Sequence, residues 1–224
     1  MRRRLAAEAL GTGLLLATVI GSGIMGERLA EGNVALALLA NSLATGCMLT
    51  VLIVIFGPVS GAHFNPAVTL ALASRNQHHW REVVPYLLAQ LLGAFAGVAA
   101  AHLMFQEPLF LAATHIRSGA AQWWSEFVAT FGLLSVIWAC LRQRLAALPY
   151  LVAAYITAAY WFTASTSFAN PAVTLARAAS DTFAGIRPGD VGGFVIAQLL
   201  GAFCATGFWH WLVPSQGDED ATLG

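Results

Sequence analysis

Six long apolar segments alternate with short polar or turn-rich stretches along the chain. They cover residues 5–24, 34–56, 83–103, 124–140, 150–164 and 191–213. An α-helix needs about 20 apolar residues to cross about 30 Å of hydrocarbon, so each segment reads as a spanning helix. The fifth is short and is expected to reach back to Leu145. Two further apolar stretches differ in kind. Each opens on Asn-Pro and runs about ten residues, a rise of about 15 Å, or half a bilayer. Asn suits a helix N-cap and Pro the first helical position, so both stretches start helices that cannot span. The pattern predicts an all-α membrane protein: six transmembrane helices plus two re-entrant half-helices, 66–75 and 171–180.

The chain also repeats itself. AQLLGAF occupies 89–95 and 197–203, and NPAVTLA occupies 65–71 and 170–176. A weaker pair places Glu8 in AAEALGTGLLL and Glu126 in WSEFVATFGLL. The markers recur in one order, which divides the chain into halves 1–114 and 115–224 of three spans each. An odd number of spans per half turns the second half over in the membrane, the inverted-repeat plan of membrane transport proteins. Gly93 with Gly97, and Gly201 with Ala205, place small residues one turn apart, which lets helices approach closely in lipid.

Composition sharpens this picture. Of 224 residues, 58% are apolar and 10% charged, against roughly 25% charged in soluble domains. Zero formal net charge argues against nucleic acid, whose phosphates need a basic surface. All eleven basic residues are Arg. With the N-terminus inside, seven (Arg2, Arg3, Arg4, Arg75, Arg81, Arg142, Arg144) are cytoplasmic and four (Arg28, Arg117, Arg177, Arg187) lie outside. The positive-inside rule therefore expects a multi-pass protein of the cell (inner) membrane with both termini cytoplasmic. The acidic Asp218, Glu219 and Asp220 would then also face inward. Arg2–Arg4 ahead of an apolar run could pass for a signal peptide, but no cleavage site followed by a polar mature domain appears. Cys47, Cys140 and Cys204 stand singly, so no metal site, cofactor site or disulfide framework is expected.

The two Asn-Pro-Ala boxes carry the candidate chemistry: Asn65, Pro66, Ala67 and Asn170, Pro171, Ala172. Half-helices from opposite sides would meet end to end at the midplane. Irregular backbone at that depth must be buried in protein or line a water-filled cavity. Two helix N-termini would converge there, and their dipoles repel cations, hydronium included. The Asn amides offer hydrogen bonds to a passing solute oxygen. A neutral polar solute would pass where a cation meets a barrier.

This arrangement resembles the aquaporin family, also called the major intrinsic proteins, over essentially the whole chain. SGAHFNPAVTLAL (60–72) is a specific match to the family's first box. The resemblance implies six spans, two re-entrant half-helices and a homotetramer with one pore per subunit. It also implies that Glu8 and Glu126 hold the half-helix loops by hydrogen bonds, and that His63 lines the inner mouth.

The chain departs from the family at the second box, which usually reads NPAR and here reads NPAV. Val173 takes the place of the filter Arg. Family spacing puts the other filter positions on Thr45, Ala158 and Ser167, the second of these if no gap intervenes after the fifth span. None is aromatic, His or Arg, so a wide constriction is expected. Such a passive channel would pass glycerol-sized solutes, neutral metalloid acids such as arsenite or methylated arsenicals, and water. NPAVTLAR is also similar to the second box of bacterial channels linked to arsenic resistance. Arg177, one turn beyond Val173 on the same face, has two readings. It either reaches back into the constriction from the outer vestibule, which would restore a charge to a water-selective or non-selective filter, or makes an ion pair or cap at the helix exit.

Other polar residues read more plainly. His78 and His79 sit in a polar turn and are expected in solvent. His102, His115 and His210 are expected at interfaces or in loops, and Tyr160 and Trp161 could edge the outer vestibule. No catalytic constellation is present, so an enzyme is not expected. A gradient-coupled transporter is an alternative class, but it would need titratable groups along the path, and Glu8 and Glu126 are the two on offer. A non-conducting packing protein, its pore collapsed onto small residues, is a further alternative. Membrane lipid and small neutral solutes are the expected partners.

Overall fold

The computed structural model describes residues 1–213; the acidic triplet Asp218–Asp220 lies outside that range. Eight α-helices follow in order: α1 (Arg2–Leu29), α2 (Val34–Ser60), α3 (Pro66–Ser74), α4 (Trp80–Phe105), α5 (Ala120–Gln143), α6 (Leu148–Phe162), α7 (Pro171–Arg177) and α8 (Val191–Leu212). Short 3-10 turns precede α6 and α8. The six long helices are apolar and long enough to cross a membrane. Helix α1 runs past its apolar run at both ends to take in Arg2–Arg4 and Arg28. The fifth span reaches back to Leu145 as expected: the 3-10 turn Leu145–Ala147 runs straight into α6, and together they cover Leu145–Phe162.

Packing pairs the elements in parallel fashion. Helix α1 lies against α2 and α4, and α5 lies against α6 and α8. The α1–α4 crossing is backbone on backbone. A Cβ built on Gly93 would overlap the carbonyl of Ala9, and one on Gly97 would overlap the carbonyl of Gly13. At the α5–α8 crossing, Gly201 meets the carbonyl of Phe127 in the same way. Lipid tails are as apolar as Leu, so such close approach, rather than apolar burial, holds helices together in a bilayer.

The outward faces carry Leu10, Leu92, Leu103, Ile196 and Leu200, all well exposed. Inside, α3 and α7 are almost wholly buried. Helix α3 has nine residues and α7 seven, so they rise only about 14 and 10 Å. Helix α7 stops three residues before the expected Ser180. The Arg177 carbonyl accepts from Ser180 and Ile186, and the Ala178 carbonyl accepts from Ala113, so the surrounding loops take the acceptors a longer helix would have used.

A pore-like cavity between two half-helices

Each box starts its half-helix as a cap. Asn65 Oδ1 accepts from the Ala67 amide at 2.9 Å, and Asn170 Oδ1 accepts from Ala172 at 3.0 Å and Val173 at 3.3 Å. The two N-termini meet. Asn65 Nδ2 donates to the Ala169 carbonyl at 2.7 Å, and Asn170 Nδ2 donates to the Phe64 carbonyl at 2.8 Å. An amide nitrogen has two hydrogens. Each Asn uses one across the junction and retains one, and both residues line the cavity.

Loops of matching conformation precede the boxes. Ala62, Phe64, Ser167 and Ala169 all have positive φ, between 48° and 51°. This strained backbone turns neighbouring amides to one side, where buried carboxylates collect them. Glu8 accepts from the His63 and Phe64 amides, from Ser60 Oγ and from Gln90 Nε2, at 2.7 to 3.0 Å. Glu126 accepts from the Phe168 and Ala169 amides at 2.9 Å and from Gln198 Nε2 at 2.6 Å. Both carboxylates have no exposed surface. Gln90 and Gln198 also donate to Thr69 and Thr174 of the half-helices. In the sequence these two glutamines are marked only as the polar residue that recurs inside both copies of AQLLGAF.

The cavity beside this junction measures ≈ 260 Å³. It runs from Gln77, Leu141 and Leu148 to Arg177, past the point where the two boxes meet. One wall is apolar, built from Leu15, Val19, Leu49, Ile53, Leu133, Ile137, Val152 and Ile156. The other wall is the polar strip of residues 61–65 and 167–170. No carboxylate lines it among the described residues, and no group of His, Cys, Asp or Glu among them is placed to hold a metal.

Thr45, Ser167 and Val173 line this cavity. Ala158 does not: it is exposed on the far face of α6. The α6 residue that fills the place is Tyr160, whose hydroxyl lies 3.3 Å from Thr45 Oγ1. An aromatic therefore stands where the spacing had put a small residue. Arg177 lines the cavity too. Its Nε donates to the Ala184 carbonyl, and its guanidinium carbon sits 3.3 Å from the centre of the Phe168 ring. It makes no ion pair among the described residues. Thus Arg177 braces a loop and faces the cavity at once.

At the other end His63 lines the cavity, with Nδ1 3.1 Å from Thr69 Oγ1. His78 is buried rather than solvated: its ring packs 4.9 Å from that of His63 and 4.5 Å from that of Tyr86. Burial holds its pKa below the usual histidine range, with Glu82 opposing. His79, by contrast, is exposed. His102 is buried inside α4, with Nε2 2.8 Å from Ser180 Oγ, while His115 and His210 are exposed. Trp161 is half-exposed and donates to Ser42 Oγ.

Known proteins share this design. The family model described as Major intrinsic protein matches residues 1–160. The chain is 57% identical over 213 residues to the aquaglyceroporin AqpS of Rhizobium meliloti (strain 1021), covering 95% of this chain and 91% of that protein. It is 32% identical to the aquaporin NIP2-3 of Zea mays, over 91% of this chain and 69% of that one. In fold it is similar to the X-ray structure of the aquaglyceroporin from Plasmodium falciparum, with a TM-score of 0.74 and 22% identity across 93% of this chain and 95% of that one. With two amide-capped half-helices meeting beside a cavity and the family's pattern across most of its length, the chain belongs to the major intrinsic protein family, the aquaporins.

Proposed function

We propose that this protein is a passive membrane channel that passes glycerol-sized neutral solutes, neutral metalloid acids such as arsenite or methylated arsenicals, and water. The observation that carries the reading is Val173 on the cavity wall directly after the second box, with Thr45, Ser167 and Tyr160 around it. A Val side chain leaves room that an Arg would fill. The retained Asn65 and Asn170 hydrogens offer donors to a solute oxygen, and the converging helix N-termini disfavour cations.

Of the two readings of Arg177, its place on the cavity wall without an ion pair among the described residues favours the one in which it brings a positive charge to the path. Arg177 sits four residues beyond Val173, which is about 6 Å along the helix, so bore and charge occupy different levels. Val173 thus sets the width of the constriction while Arg177 sets the charge one turn beyond it. Gradient coupling has little support, because Glu8 and Glu126 are fully engaged in holding the loops. The halves 1–114 and 115–224 are read as inverted repeats, with the protein in a bacterial inner membrane, termini inside, as a homotetramer.

Stopped-flow light scattering on proteoliposomes tests the reading. The parent is expected to pass water, glycerol and arsenous acid, and Val173→Arg to suppress the two larger solutes by about tenfold or more, about 1.4 kcal/mol. A parent that passes water alone, or nothing beyond empty liposomes, would refute it.

A further inference from the structure

The outer end of the cavity carries more positive charge than its surroundings balance. Arg177 is 2% exposed and Arg117 is 8% exposed. Neither makes an ion pair among the described residues. Arg117 Nε donates to the Gly185 carbonyl at 2.8 Å and Nη1 to the Ser165 carbonyl at 3.4 Å. Its guanidinium carbon lies 5.1 Å from the centre of the Phe168 ring, the same ring that Arg177 covers. Two guanidinium groups therefore share one aromatic.

The carboxylates of the region are committed elsewhere. Glu126 holds the loop amides and Gln198. Asp190 accepts from the Arg117 backbone and from Arg187. Asp181 accepts from Thr114. Burial lowers the Arg117 pKa to about 10, so this group stays charged at neutral pH. Arg177 gives only Nε to the protein, which leaves its Nη1 and Nη2 hydrogens without a protein acceptor among the described residues. Ser167 Oγ, also buried on the cavity wall, has no partner there.

A buried cation without a counter-charge is costly, and a planar guanidinium with two free nitrogens fits two oxygens of one anion. We propose that the outer end of the cavity binds a small oxyanion, gripped by Arg177 Nη1 and Nη2 with Ser167 Oγ as a further donor and Arg117 as a second positive charge, and that the bound anion obstructs neutral solutes. The effect on flux rests on the channel reading above; the binding does not.

Two measurements separate the ideas. Calorimetric titration of the full-length protein in detergent with sodium nitrate, against sodium chloride, reads binding directly. Nitrate is expected to bind more tightly than spherical chloride. Arg177→Gln is expected to weaken it about tenfold or more, and Arg177→Lys and Arg117→Gln by several-fold. Glycerol flux into proteoliposomes, with nitrate replacing chloride at fixed ionic strength, is expected to fall for the parent and to be insensitive to nitrate in Arg177→Gln. No nitrate binding by the parent, or parent-like affinity in a folded Arg177→Gln, overturns the site even where glycerol passes. If Arg177→Gln does not fold, parent-like affinity in both Arg177→Lys and Arg117→Gln overturns it equally. Nitrate binding without glycerol flux supports the site and refutes the channel reading.

Discussion

Asn65 Nδ2 donates to the carbonyl of Ala169 at 2.7 Å, so a side chain of one box holds the backbone of the loop that positions the other. Asn65→Asp keeps the cap on the Ala67 amide but cannot donate, and it places a negative charge where two helix dipoles repel cations. The variant is expected to raise proton or cation leak about tenfold and to lower thermal stability by about 1–3 kcal/mol for the orphaned carbonyl. A pH-sensitive dye inside proteoliposomes reads the first effect and thermal unfolding the second. An unchanged leak would refute the charge argument.

Gly93 on α4 faces the carbonyl of Ala9 with no room for a Cβ, whereas nothing lies within 4 Å of where a Cβ on Gly207 would go. Gly93→Ala is therefore expected to cost about 3 kcal/mol, the upper end of overpacking effects. Gly207→Ala is expected to change stability by less than about 1 kcal/mol. Unfolding in a denaturing detergent titration compares the two. Equal losses would contradict backbone-on-backbone packing of α1 and α4.

Glu126 collects three N–H donors that have no water to fall back on. Glu126→Ala strands them at about 1 kcal/mol or more each, so a loss of at least about 3 kcal/mol is expected. Glu126→Gln keeps one acceptor oxygen and is expected to lose less. Hydrogen exchange at Phe168 and Ala169 should quicken in the order parent, Gln variant, Ala variant. Protection that does not change would remove Glu126 from its role as loop anchor.

His78 sets a pH dependence of definite sign. Its pKa is lowered in the folded protein, so the unfolded chain binds a proton that the folded one resists. Its contribution is fully present above the unfolded pKa of about 6.5 and is lost as pH falls below that value. The parent is expected to unfold more readily on acidification through this range, and His78→Gln to flatten the dependence. Parallel profiles for the two proteins would contradict the assignment.

Much of this architecture was legible because lipid imposes simple patterns. Apolar length marks the six spans, and Asn-Pro marks the start of each half-helix. Glu8 and Glu126 stood out as charges in apolar runs at repeated places. The misses have physical causes. Ala158 lies about 200° round the helix from both Ile156 and Tyr160, at about 100° per residue, so a two-position slip in spacing selects the wrong face. The early end of α7 depends on carbonyls taken by Ser180 and Ile186 just downstream and by Ala113 from the other half of the chain. The burial of His78 comes from Tyr86 on α4 and His63 ahead of α3, neither of which a local polar turn reveals. Arg117 carried no local signal, since its partners Ser165, Phe168 and Gly185 are distant in sequence.

The cross-ties between the boxes have a consequence for how the protein is made. Glu8, Gln90 and the loop that they hold all belong to the first part of the chain, so that loop can be organised as soon as α4 has emerged. The Asn65 tie cannot close until Ala169 has been synthesised, about a hundred residues later. At about 5–20 residues per second, the ribosome leaves the first half-helix waiting roughly 5–20 s with its N-terminus uncovered inside the bilayer. The carboxylate of Glu8 is then the internal scaffold that keeps a nascent loop in shape until its counterpart arrives.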